Sequence, residues 1–374
     1  VTAAPFLGDD RRWPVWWRPV AGRAAGDREV NRYGGRVVSR YGGRVVNRYG
    51  GRGVSRSRSG CAGTSAEGEA GARPGGAPIS ECAVPVARPS WVPMPRLPHP
   101  ASEELRRDPL PLRGRTALVT GASRRAGIGH AVARRLAAYG ASVYLHHHVP
   151  HDAALPWGAD RPEDVAASVR AALGDPDAAV HEGPGDLTRP DAPAALVAGA
   201  SEALGGRLDI LVANHALSGS DGTLDTIDAG MLDAHWQVDT RSVLLLIQAY
   251  ARLRDALPPR TPGGRVVTMT SGQDIAGGMP GEIAYALQKG ALASVTRSLS
   301  TTLAEHAVTV NTVNPGPVDT DYLTGEEYDA VAARFPGGRW GMPDDPARLV
   351  AWLATDEAEW VTGQVIDSEG GFRR

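Results

Sequence analysis

Thr116-Ala-Leu-Val-Thr-Gly121-Ala-Ser-Arg-Arg-Ala-Gly127-Ile-Gly129 joins a short apolar run to a glycine-rich turn, and Val132, Leu136 and Tyr139 follow at helical spacing. The run has the length of a buried strand, and the spacing after it predicts an amphipathic helix. Strand, glycine turn and helix make a cradle for phosphate. Glycines let the backbone approach a pyrophosphate closely, and the amides at the helix start face its charge. Gly121, Ser123, Arg124, Arg125, Gly127, Ile128 and Gly129 are therefore candidate cofactor contacts.

The same alternation continues outward. Further strands are expected at Ala141–His146, Ala178–His181, Leu208–Ala213, Arg265–Thr270, Val308–Val313 and Gly363–Asp367. Helices are expected near Glu163–Leu173 and Ala192–Leu204, over Met231–Leu253 as one long apolar helix that is buried or at a subunit contact, and within Pro280–Thr302. Strands alternating with helices specify an α/β fold: a doubly wound parallel sheet of Rossmann type with right-handed crossovers. Residues 321–343 read as a mobile loop with a short helix over the site, and Met279, Tyr322, Phe335 and Trp340 suggest an apolar wall for a substrate.

Three strand ends carry polar residues suited to a cofactor crossing the sheet: Asp186-Leu187, Asn214 and Ser271. Asp186 could accept from an adenine amino group, or simply hold a turn. The second strand ends in His146-His147-His148, with no acid before Asp152 to meet ribose hydroxyls. With Arg124 and Arg125 in the glycine turn, a 2′-phosphate is welcomed there, so NADP(H) is favoured over NAD(H). No acid or cysteine completes a familiar metal-ligand spacing with His151 and this histidine cluster, so no metal is expected.

Tyr285-Ala-Leu-Gln-Lys289 supplies the chemistry. Four residues apart on a helix, Tyr285 and Lys289 share a face, and Lys289 is the chain's single lysine. A phenol with pKa ~10 exchanges protons poorly at neutral pH, and a neighbouring ammonium draws that value down. Ala284, Leu287, Ala291, Val295 and Leu299 form the apolar stripe of this helix.

Residues 1–108 differ in kind. Octads repeat from Asn31, both cysteines (Cys61 and Cys82) lie here, and arginine, glycine and proline dominate. Such composition cannot bury enough apolar surface to offset ordering entropy, so a disordered extension precedes a domain at 109–374. The octads suggest two origins: an Arg/Gly/Tyr tail for nucleic acid, the weaker reading, or an upstream reading frame joined to a gene starting at Met94. Intact-mass measurement on the native protein separates them. With no need for disulfides and no run of ~18 apolar residues, a cytoplasmic protein with no membrane span is expected.

Taken together, Thr120-Gly121 with Gly127-Ile128-Gly129, Asp186-Leu187, Asn214, Ser271, Tyr285 with Lys289, and Asn314-Pro315-Gly316-Pro317 resemble the short-chain dehydrogenase/reductase family over about Gly114–Phe372. The branch they most resemble contains 3-oxoacyl-carrier-protein reductases. The resemblance implies an NAD(P)-dependent oxidoreductase acting on a small carbonyl or alcohol substrate, assembled as a tetramer or dimer. It implies that Tyr285 is the proton donor, that Lys289 binds the nicotinamide ribose and depresses the Tyr285 pKa, and that Ser271 holds the substrate oxygen. Gly316 and Val318 would line the nicotinamide, and Thr320 would contact the diphosphate or carboxamide. An alternative is a member that binds cofactor with little catalysis, as a sensor or scaffold.

Three departures stand out. The glycine turn is two residues longer than the family's. Ser271 lies fourteen before Tyr285 where thirteen is commoner. Asp239 occupies the place of an asparagine that anchors a water leading to the lysine, and its charge is expected to pair with Lys289 and blunt the effect on Tyr285.

Overall fold

The computed structural model describes residues 105–373 except 259, 260, 262 and 276. The octads, Met94 and both cysteines lie outside the described residues. The first described core residue is Leu112, whose amide donates to the Tyr139 carbonyl at 2.9 Å, so packing begins a little before Arg115.

Apolar runs become strands where both faces can be covered. β1 (Thr116–Val119), β2 (Ser142–His147), β3 (Val180–Pro184), β4 (Ile210–Ala213), β5 (Gly264–Met269), β6 (Val308–Asn314) and β7 (Val365–Asp367) form one sheet in the order β3-β2-β1-β4-β5-β6-β7. Every pairing is parallel. The order runs outward from β1 in one direction and from β4 in the other, so the crevice between their carboxyl ends is the place where such sheets bind ligands.

Side-chain alternation divides the core in two. Ala117, Val119, Ile210, Val212, Val267 and Met269 pack under α1 (Ile128–Ala138), α3 (Pro162–Arg170) and α9 (Asp344–Leu353). Leu118, Leu211, Ala213 and Val266 pack on the opposite face under α4 (Ala192–Ala203), α6 (Ser242–Asp255) and α7 (Ile283–Leu303). Each fully buried Val or Leu contributes roughly 1.5–3 kcal/mol. The amphipathic α9 and the short α2 (Val149–Ala153) escaped the sequence reading.

Two helices differ from expectation. The long helix over Met231–Leu253 is broken: α5 (Ala229–His235) passes through a π-helical turn, Trp236–Arg241, before α6 resumes. In α7 the buried positions are Ala284, Gln288, Lys289, Leu292, Thr296, Ser300 and Leu303, while Leu287 is 57% exposed. Of the apolar stripe, Ala284 is buried and Leu299 packs against the core, while Leu287 stands outward. Small polar side chains pack α7 close to the sheet because each finds a partner, as where the Thr296 and Thr312 hydroxyls meet at 2.6 Å.

The stretch expected to be a mobile loop with a short helix does hold a helix, α8 (Gly325–Ala332), and adds a small core of its own. Trp340 and Phe335 are buried against Tyr328 and Phe372, with the Trp340 indole donating to the Tyr328 carbonyl at 2.9 Å. These two aromatics serve packing, so the expected apolar substrate wall loses them.

Candidate active site

β5 ends at Met269, and the residues after it carry hydroxyls in succession. Thr270 is buried, its hydroxyl donating to the Lys289 carbonyl at 2.7 Å, which pins the strand end to α7. Ser271 is the hydroxyl that faces Tyr285, near enough to pull the phenol's pKa down, and it lies 3.6 Å from the Met279 sulfur. Turns closed from Gly272 to Ile275, Ile275 to Gly278 and Met279 to Glu282 occupy the intervening chain and absorb the extra residue of spacing.

Lys289 is buried, its ammonium donating to the Met269 carbonyl at 3.0 Å and lying 5.5 Å from the centre of the Tyr285 ring. Burial lowers the Lys289 pKa, and the charge of Asp239 works the other way. Tyr285 is raised, chiefly by burial and then by the charges of Asp239 and Glu282, while the hydrogen bond from Ser271 pulls it back. The expected depression by lysine is therefore overturned within the chain's own groups. Burial comes first, followed by the carboxyls of Asp239 in the π-helical turn and Glu282 at the cap of α7.

Asp239 also departs from expectation. It sits in the π-helical turn, fully buried, with Oδ1 accepting from the Leu217 amide at 2.8 Å. Its Oδ2 lies 2.7 Å from His235 Nδ1, so the direct ionic partner is His235 and not Lys289. His235 was missed in the sequence, although four residues of helical spacing before an acid was the available signal.

At the other side of the crevice, α1 begins at Ile128 after Gly127 with no side-chain cap and no acid in its first turn. That open, electropositive start fits a pyrophosphate. Asn214 fixes the turn in place, its Nδ2 donating to the carbonyls of Thr120 and Gly121, both at 3.1 Å. A Cβ on Gly129 would sit 2.5 Å from the Gly121 oxygen and 2.7 Å from Asn214 Nδ2, so only glycine lets helix and turn close together. Ser123 is buried in this turn.

The comparisons with known proteins agree with this geometry. A family profile described as enoyl-(acyl carrier protein) reductase matches residues 121–373. An uncharacterized oxidoreductase of Bacillus subtilis, YjdA, is 40% identical over 266 residues, spanning 69% of this chain and 96% of the relative. The chain belongs to the short-chain dehydrogenase/reductase family. The 3-oxoacyl-[acyl-carrier-protein] reductase FabG of Vibrio cholerae is 33% identical over 271 residues, 70% of this chain and 98% of the relative. A blue fluorescent protein from a metagenomic library, solved in complex with NADPH, aligns with TM-score 0.59 and 30% identity over 70% of this chain and 99% of its own. As a short-chain dehydrogenase/reductase, the protein is an NAD(P)-dependent oxidoreductase with a Rossmann-type fold.

The remaining candidate contacts fall around the same crevice with defined partners. Arg124 donates to the Thr320 carbonyl at 3.1 Å and lies over Trp157, while Arg125 is held by Asp160, which takes its backbone amide at 2.7 Å and its guanidinium at 3.1 Å. Both arginines line an open cavity of about 350 Å³ with Trp157 and Asp321. Asp186 accepts from the amide and hydroxyl of Thr188 at 3.0 and 2.6 Å, so it does hold a turn, and Leu187 is in the core. Gly316 has φ 64° and would place a Cβ 2.3 Å from that of Glu369; Val318 is buried.

The histidines that end β2 have structural partners. His146 Nε2 donates to the Gly185 carbonyl at 3.0 Å and Nδ1 accepts from the Gly121 amide at 3.3 Å, with burial lowering its pKa to about 4. His147 pairs with Glu182 at 2.7 Å. Among the described residues no cluster of three or more ligating side chains could hold a metal, and no helix is long and apolar enough to cross a membrane.

Proposed function

We propose that this reductase delivers a proton from Tyr285 to the oxygen of a 3-oxoacyl-type carbonyl, with NADP(H) as the preferred cofactor. Hydride to the carbonyl carbon comes from the reduced nicotinamide when it is bound. The observation that carries the reading is the buried ammonium of Lys289, fixed to the Met269 carbonyl at the carboxyl end of β5 and 5.5 Å from the Tyr285 ring, with the Ser271 hydroxyl facing that phenol.

Ser271 would hold the substrate oxygen against Tyr285, so the proton is in place as charge develops on that oxygen. Lys289 would orient the nicotinamide ribose, and its charge would stabilise the phenolate left after transfer. The glycine turn, with Gly121, Ser123, Gly127, Ile128 and Gly129, would take the diphosphate, and Asn214, Gly316, Val318 and Thr320 would border the nicotinamide half. Asp186 and Leu187 would border the adenine. Arg125 would turn from Asp160 to a 2′-phosphate, and the absence of an acid in His146-His147-His148 favours that phosphate. The 3-oxoacyl substrate in the name of the Vibrio relative and the NADPH bound by the metagenomic neighbour point the same way.

A cytoplasmic homo-oligomer, dimer or tetramer, suits a chain whose Leu287 and Val365 are 57% and 44% exposed on α7 and β7. The test is consumption of NADPH and NADH by the purified protein with a 3-oxoacyl thioester and a ketone panel. Faster turnover with NADPH is expected, and Tyr285→Phe is expected to lose at least about 100-fold in kcat. Undiminished turnover in that variant would remove the phenol from the mechanism.

A further inference from the structure

We infer that His235 is a positioning residue of this enzyme: an imidazolium that neutralises Asp239 and so lets an aspartate stand where the family has an asparagine. The inference rests on the reading of Tyr285 and Lys289 as the catalytic pair.

Proton accounting leads to it. His235 Nε2 lies 3.0 Å from the Gly219 carbonyl, which can only accept, so Nε2 carries a hydrogen. Nδ1 lies 2.7 Å from Asp239 Oδ2, whose carboxylate again only accepts when ionised, so Nδ1 carries one too. The other carboxylate oxygen is occupied by the Leu217 amide. Ring and carboxylate are both essentially sealed from water, 1% and 0% exposed, where an unpaired charge is costly.

The surroundings favour a cation at this point. Asp221, from the segment after β4, lies 3.8 Å from Nε2. Glu282 and the Tyr285 ring face His235 from the start of α7, the two rings edge-on at 6.1 Å. On its far side Asp239 feels Lys289 from α7 and His151 from α2. Burial opposes the charged ring, yet the hydrogen bond and charge of Asp239, with Asp221 behind, raise the His235 pKa overall.

Asparagine at 239 would satisfy the same positions differently. Its oxygen would take the Leu217 amide and its nitrogen would donate to Nδ1 of a neutral ring, with Nε2 still donating to Gly219. Two self-consistent states follow: asparagine with neutral imidazole, or aspartate with imidazolium. This chain has the second. While His235 keeps its proton, Tyr285 and Lys289 stand beside a neutral pair. Once it is lost, a bare carboxylate faces them, Tyr285 becomes a weaker acid, and carbonyl reduction slows. The wild-type rate therefore falls on the alkaline side as His235 titrates.

The test combines a spectroscopic and a kinetic readout on the full chain. With isotope-labelled histidine, the His235 ring is expected to carry hydrogen on both nitrogens at neutral pH, and to become neutral with hydrogen on Nε2 in Asp239→Asn. A neutral ring in the wild type overturns the inference, and this readout needs neither turnover nor a His235 variant that folds. In kinetics, His235→Gln is expected to lower kcat by about tenfold or more. Adding Asp239→Asn should recover most of that loss and remove the alkaline fall in rate. A double variant no faster than His235→Gln, or an alkaline limb unchanged in it, also overturns the inference. If instead Tyr285→Phe keeps its turnover, the catalytic reading fails while the ring's charge still reports on the pair.

Discussion

Glu282 is the side chain most affected by its surroundings for the least apparent reason in sequence. Burial pushes its carboxyl up to about 8, helped by the charge of Asp221 and opposed by His235. Between the ordinary value near 4.5 and about 8 the unfolded chain has released a proton that the folded chain keeps, so stability falls as pH rises through that window. Glu282→Gln removes the liability. Its thermal midpoint, close to wild type below the window, should pull steadily ahead until about pH 8 and then hold a constant lead. A lead that does not change across the window would mean that the carboxyl is ionised throughout. Tyr285, Lys289 and Ser271 could be picked out in the sequence because their relation is a matter of short spacing. The charge state of Tyr285 could not, since Asp239 and Glu282 reach it only through the fold.

The first turn of α7 illustrates how one segment can be completed by another. Asp221 accepts from the amides of Ala284 and Tyr285 at 2.9 and 2.7 Å, and the Gly222 carbonyl accepts from Ile283 at 3.2 Å. The N-cap residue itself, Glu282, makes no side-chain cap. Asp221→Ala should cost about 1–2 kcal/mol, lowering the thermal midpoint by several degrees, and should reduce kcat because Tyr285 is the third residue of that turn. A normal midpoint would show that the turn finds other acceptors. Periodicity located α7 well and misjudged its faces. Thr296, Ser300 and Gln288 look like surface residues, yet hydrogen bonds such as that from the Thr240 hydroxyl to Gln288 Oε1 at 2.8 Å satisfy them inside. The π-helical turn left no mark either, because one wide turn hardly disturbs an apolar pattern, and the cap by Asp228, which takes the Met231 amide at 2.9 Å, starts α5 ahead of the expected Met231.

The parallel, doubly wound architecture follows from strands alternating with helices and from crossover handedness, whereas the order in which the strands lie is seen only in the fold. The outward face of α7 was not legible in the sequence either, because Leu287, Ala291 and Val295 lie on one apolar stripe and yet Leu287 is exposed and the other two are only half-buried. Leu287→Glu should shift the protein toward a smaller assembly in light scattering while leaving the far-ultraviolet spectrum intact; an unchanged mass would place the contact elsewhere. The clamp on α7 has a wider consequence. Asp221 is 63 and 64 positions away from the amides it holds, with β5 between them in the chain. In refolding, that contact closes a long loop, so it is expected to form after the local turns of α7. Recovery of turnover on refolding should therefore lag behind recovery of the helical signal, because the helix can wind before Asp221 reaches it.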